Sequence, residues 1–94
     1  MGYAALNEAV SISVTTDDQE ETDRLWTALL ADGGKENRCG WLKDRFGLSW
    51  QIMPEALPRL LTTSDRAGAA RVMQAMMGMV QLDVAMLEKA FRGE

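Results

Sequence analysis

Ser11, Ser13, Ser49, Gln51 and Met53 carry the side chains best placed for chemistry in this sequence. They fall at alternate positions of two stretches, 9–15 and 48–53, and strand geometry puts each set on one face. Small hydroxyls, one amide and one thioether suit a wet or ligand-filled groove better than a dry core. The plainer alternative is that the serines face water and nothing else. The stretch before the second strand adds either Trp41 with Cys39 or Leu42 with Gly40 to this face, and the pattern leaves both open.

The chain contains no histidine and a single cysteine, Cys39. Metal binding needs His, Asp or Glu converging on one point. Gln51 offers only a neutral carbonyl, and Glu8 and Asp44 sit at strand ends or turns. Asp44 is expected to accept backbone hydrogen bonds within its own turn. No metal and no cofactor are therefore expected. Cys39 has no partner for an internal disulfide and no imidazole to draw off its proton. It reads as a small, partly buried strand residue.

Composition narrows the classes further. The 94 residues carry a formal net charge of −4 at pH 7 and are 47% hydrophobic, enough apolar content to argue against disorder. No basic footprint for nucleic acid is visible. No apolar run is long enough to span a membrane. The first residues lack the basic start and apolar core of a signal peptide, so a cytoplasmic protein is expected. At this length one small domain is expected over 1–94, and such a domain buries a modest share of its surface.

Several elements must position those side chains. Residues 9–15 alternate strictly, with Val10, Ile12 and Val14 opposite Ala9, Ser11 and Ser13. A helix is predicted over 18–32, with Asp17 as cap and Glu20 closing a capping box. Glu20 and Arg24 suit an i, i+4 pair. Leu25, Trp26, Leu29 and Leu30 form its apolar stripe, and Gly33-Gly34 its stop. A second strand is predicted over 36–42, a turn at Asp44-Arg45-Phe46-Gly47, and a third strand over 48–53 ended by Pro54. Leu48, Trp50 and Ile52 join the apolar face that the helix must cover. Beyond Pro54 the pattern becomes helical: a short helix from Glu55 to Leu61, a longer one over 65–79 capped by Ser64, and a last one capped by Asp83 and ended by Gly93. The methionines Met73, Met76, Met77 and Met79 read as helix packing, with a pliable groove for a partner as the sharper alternative. Trp26 and Trp50 read as core.

The block Cys39-Gly40-Trp41-Leu42-Lys43-Asp44, followed by Asp44-x-Phe46-Gly47-x-x-Trp50-Gln51-Ile52, resembles the last hairpin of the vicinal oxygen chelate superfamily, the group of glyoxalase I and bleomycin-resistance proteins. With Asn7-Glu8-Ala9-Val10-Ser11, Asp18-Gln19-Glu20-Glu21, Gly33-Gly34 and two tail segments, Arg71 to Met76 and Leu82 to Glu88, it is similar to the PhnB-like subgroup labelled 3-demethylubiquinone-9 3-methyltransferase. The resemblance implies an α+β fold: one module (β-α-β-β, with room for a further strand) over 7–54, then a helical tail over 55–94. In metal-using relatives a glutamate stands where this chain has Gln51 and a histidine about where it has Ala9. Relatives of this subgroup pair two such modules, and this chain resembles the second alone. The likeness therefore implies a cup completed by a second copy, a homodimer, unless a separate first-half chain or the rest of a longer protein supplies the other half.

The combined expectation is a metal-free protein that binds a small organic molecule as a homodimer, with Ser11, Ser13, Ser49, Gln51, Met53 and Trp41 in contact with it. Catalytic residues are unassigned, because no acid, base and nucleophile converge. The rivals are an assembly module with no ligand and an orphan enzyme of the same superfamily. Methyl transfer from an adenosyl donor is disfavoured: Gly33-Gly34 ends a helix and Gly47 sits in a hairpin, so no glycine-rich strand-to-helix loop is available.

Overall fold

The computed structural model describes residues 11–94. The expectations for Glu8, Ala9 and Val10 lie outside those residues. Along the chain run β1 (Ser11–Thr16), α1 (Gln19–Leu30), β2 (Lys35–Glu36), β3 (Trp41–Lys43), β4 (Ser49–Pro54), α2 (Ala56–Leu61), α3 (Arg66–Met77) and α4 (Val84–Arg92). The strands form one open sheet in the order β1-β4-β3-β2, with β1 parallel to β4 and the other pairs antiparallel. The fold is α+β, a four-stranded sheet followed by C-terminal helices, as expected for a single glyoxalase-type module.

Helix α1 starts one residue later than its acid-rich sequence suggested. Asp18, not Asp17, is the cap: its carboxylate accepts the Glu21 N–H at 2.9 Å, and Glu21 reaches back to the Asp17 N–H at 2.7 Å. The capping pair is thus Asp18 with Glu21 rather than Asp17 with Glu20, and the return bond falls on the Asp17 N–H, one residue before the cap. Arg24 likewise lies 3.6 Å from Glu21 instead of pairing with Glu20. The shift follows from Thr22. Its buried hydroxyl donates to the Asp18 carbonyl at 2.8 Å and meets the Thr16 hydroxyl at 2.6 Å, which ties the end of β1 to the first turn of α1.

The stretch 36–42 is two strands, not one. Cys39 has a φ of 59° and Gly40 a φ of 82°, so the chain turns between β2 and β3. Cys39 is therefore a half-buried turn residue rather than a strand residue. A Cβ on Gly40 would stand 2.9 Å from the Ile52 carbonyl and 3.0 Å from Leu82, so only glycine fits that approach.

Two hydrophobic clusters result. Trp26, Leu42 and Ile52 are buried between α1 and the sheet, with Val14, Leu29, Leu30 and Trp50 packed around them. Leu57, Leu60, Val72, Leu82 and Leu87 form the second cluster, among the tail helices. Asp65, not Ser64, caps α3, while Asp83 caps α4 as its position suggests. Met76 and Met79 pack on the tail cluster, whereas Met73 and Met77 are exposed.

Candidate functional site

The register fixes which side chains share the face turned away from α1. Ser13, Gln51 and Trp41 lie in one row across β1, β4 and β3, and Ser11, Ser49 and Lys43 lie in the next. Cross-strand partners point to the same side of a sheet. Trp41, rather than Leu42, therefore belongs to the Ser and Gln face. Leu42 is 1% exposed in the cluster beneath α1. Lys35, directly opposite Lys43 on β2, extends the second row to the sheet edge.

No helix of the described residues packs across the middle of this face. Ser11 and Ser13 are exposed, Gln51 and Trp41 half-buried, and Ser49 buried. Met53 differs from the other five. It packs against the tail cluster, so the tail occupies that end of the face. A recess of about 220 Å³ remains at the other end, lined by Asn37, Trp41, Leu42, Lys43 and Ser49. The structure thus brings Trp41 and Ser49 into one recess, leaves Ser11, Ser13 and Gln51 on the adjoining open sheet, and directs Met53 to the tail.

Asn37, Lys35 and Lys43 are the residues that the sequence pattern did not single out. A firm parity for β3 would have found Lys43, because it alternates with Trp41. Asn37 and Lys35 needed the turn at Cys39-Gly40 and the β2–β3 register, neither of which periodicity reveals.

Asp44 holds the β3–β4 turn, as expected. One carboxylate oxygen accepts the Phe46 N–H at 2.9 Å and the Leu48 N–H at 3.0 Å, and the other accepts the Trp50 indole N–H at 2.9 Å. The Trp50 hydrogen bond, with help from the backbone amides, holds the Asp44 carboxyl below its ordinary pKa. Both of its carboxylate oxygens are thus engaged, one by the turn and one by β4. Among the described residues, no group of three or more His, Cys, Asp or Glu side chains lies together as a metal ion would require.

This geometry, an open mixed sheet roofed by α1 on one face and crossed by no described helix in the middle of the other, is that of a small α+β module. A family model described as 3-demethylubiquinone-9 3-methyltransferase matches residues 3–53, more than half of the chain, and the chain belongs to that family. The match ends at Met53, the last residue before Pro54 closes the sheet, so α2, α3 and α4 lie beyond it. No curated protein matches the chain. No helix among the described residues is long and apolar enough to cross a membrane.

Proposed function

We propose that this chain is a metal-free small-molecule-binding module that works as a homodimer, with the ligand held against the Ser11, Ser13, Gln51 and Trp41 face. The observation that carries this reading is a polar face that no described helix crosses, beside an edge strand, β1, that pairs only with β4 among the described strands. Strand β1 is six residues long and carries no charge, proline or glycine, the usual devices that keep an edge from pairing. Ile12 on that edge is 39% exposed. A second copy brought alongside β1 would wall in the open face and turn a shallow surface into a cleft.

Methyl transfer is not part of this reading, despite the family's description. The β1–α1 connection is Asp17-Asp18, two acids with no glycine, where a nucleotide-type cofactor would want a glycine-rich turn at a helix start. Ser49, Gln51 and Trp41 can bind and orient a molecule, and none of them is an activated nucleophile or base.

Sedimentation and light scattering give the mass in solution. A dimer that Ile12→Lys converts to a folded monomer supports the reading, and a monomeric wild type overturns the shared cleft. Thermal-shift screening against small metabolites then separates a binding module from a purely assembling one. The expected result is a rise in Tm with at least one compound, abolished by Gln51→Ala. A dimer indifferent to every compound favours the assembly reading that the β1 edge also suits.

A further inference from the structure

Three polar residues are buried among the described residues: Thr16, Thr22 and Ser49. Thr16 and Thr22 satisfy each other, with their hydroxyls 2.6 Å apart. Ser49, only 3% exposed, has no side-chain partner among the described residues. A buried hydroxyl in that position costs stability and calls for a water or a ligand to complete it. Nor is this hydroxyl sealed away. No fully enclosed side-chain nitrogen or oxygen among the described residues lacks a hydrogen bond, so the Ser49 oxygen opens on the recess of about 220 Å³ that the residue lines.

The other walls of the recess define what would complete it. Trp41 on β3 is the diagonal neighbour of Ser49 on the same face, about 7–8 Å away. Trp26 gives its indole N–H to Glu36 at 3.0 Å and Trp50 gives its own to Asp44 at 2.9 Å, but Trp41 has no acceptor among the described residues. The Asn37 side-chain oxygen is taken by the Arg38 N–H at 2.8 Å, which leaves its NH₂ group to donate. Leu42 adds apolar surface. Lys43 also lines the recess but is already engaged, so its charge is not counted toward recognition. The chain as a whole, with a formal net charge of −4, gives an anion no long-range attraction. What remains among the described residues is a set of neutral donors beside a flat apolar wall, which matches an uncharged acceptor on a planar ring.

We infer that this recess binds a neutral aromatic carbonyl compound, its carbonyl oxygen on the Ser49 hydroxyl and its ring against Trp41. A protein cavity of about 150 Å³ admits benzene, so about 220 Å³ leaves room for one ring and a small substituent. The inference rests on the binding reading above and narrows its ligand class.

NMR titration of the full chain with benzamide, toluene and benzoate tests it. Benzamide is expected to move the Trp41 indole and the Asn37 and Ser49 backbone amide signals in a saturable way, about tenfold more tightly than either toluene or benzoate. Ser49→Ala is expected to bring benzamide down to the affinity of toluene. The same variant has a readout that needs no ligand. Removing a buried hydroxyl that the fold does not use should leave the Tm of the ligand-free protein at or above that of the wild type. A fall in that Tm gives Ser49 a structural role and overturns the assignment. Toluene or benzoate binding as tightly as benzamide, or no saturable shift at these residues, overturns it too. The mass measurement is independent. A monomer that binds benzamide here sinks the dimer and leaves this site standing. A dimer whose ligand depends on Gln51 and leaves the Trp41 and Ser49 signals unmoved does the reverse.

Discussion

The sheet module and the helical tail are held together by different means. In the module, aromatic side chains carry both packing and hydrogen bonds: Trp26 is buried beneath α1 and bonded to Glu36, and Trp50 is half-buried and bonded to Asp44. The tail core is aliphatic, built on Leu57, Leu60, Val72, Leu82 and Leu87, with Phe91 at its margin. Its polar contacts include helix caps, the exposed Arg59 ion pairs with Glu55 at 3.2 Å and Glu88 at 3.7 Å, and the Arg71 guanidinium closing the end of α4 on the Ala90 carbonyl at 2.9 Å and on the Phe91 carbonyl. The family match covers the first region and stops where the second begins. The part of the molecule that the family model covers is thus the part in which indole N–H groups bond to carboxylates. The tail is a leucine-packed cap that closes one end of the open face at Met53.

A narrow seam joins the two. Leu82 is fully buried in the tail cluster and also touches the Cα side of Gly40. The Cys39 N–H donates to the Met79 carbonyl at 2.8 Å and the Gly40 N–H to the Val80 carbonyl at 2.7 Å. On the α1 side, Gln19 donates to the Leu82 carbonyl at 3.1 Å and accepts from the Val84 N–H at 2.6 Å, while Gln81 bonds to Asp23. All three tryptophans lie in the module and most of the helix lies in the tail. Tryptophan fluorescence and far-UV circular dichroism therefore report on different regions. If the seam couples them, both signals change at the same urea concentration.

The sharpest break in that seam is Leu82→Ala. Truncating a fully buried leucine is expected to cost about 2–5 kcal/mol. Because Leu82 serves both regions, the fluorescence and dichroism transitions should fall together. If only the dichroism midpoint moves, the tail is an independent unit. Gly40→Ala comes next. The strained φ and the close Ile52 carbonyl are expected to cost about 1–3 kcal/mol, and the change enters from the module side of the same seam. Denaturation should again move both signals.

The elements of the module were legible in the sequence to different degrees. The β1 and β4 faces followed from strict alternation, because a period of two leaves no other way to bury Val14 and Ile52. The β3–β4 turn was legible in Asp44 and Gly47. The β2–β3 break was not, because it depends on Cys39 adopting a positive φ that residue type does not announce and on a carbonyl from residue 79, forty positions away. Without that break the parity of Trp41 stayed open, and with it the place of Lys43. Met53 was assigned to the groove because alternation sees only the strand. The tail helices that cover it are a tertiary fact. The choice of Asp18 over Asp17 as cap was decided by Thr22, a residue whose hydroxyl no capping pattern weighs.

Asp44 offers a finer test of the module. Its carboxyl is held below the ordinary value, so the folded state binds that proton less readily than the unfolded state. The sign follows: the contribution is fully present above the unfolded Asp value near 3.8 and is lost as pH falls through the lower folded value. Asp44→Asn should remove the Trp50 bond, cost about 1.5 kcal/mol near neutral pH, and flatten the stability profile in that acidic window. If the seam couples the two regions, the loss should appear equally in the fluorescence and dichroism transitions; a loss confined to the fluorescence would mean that the module unfolds apart from the tail.

The smallest effect is expected at the other indole, and it separates burial from hydrogen bonding. Among the described residues the Glu36 carboxylate accepts the Trp26 N–H alone, from a two-residue edge strand. In Glu36→Gln the side-chain carbonyl can still accept that bond, and Trp26 remains 3% exposed under α1. The expected cost is about 0.5 kcal/mol, the low end for a neutral hydrogen bond replacing a charged one, with no shift in the acidic window that Asp44 governs. A loss as large as that of Asp44→Asn would mean that β2 depends on Glu36 for its place. The Lys35–Lys43 register would then rest on this one contact. A small loss places the stability of the module in the Trp26 packing itself.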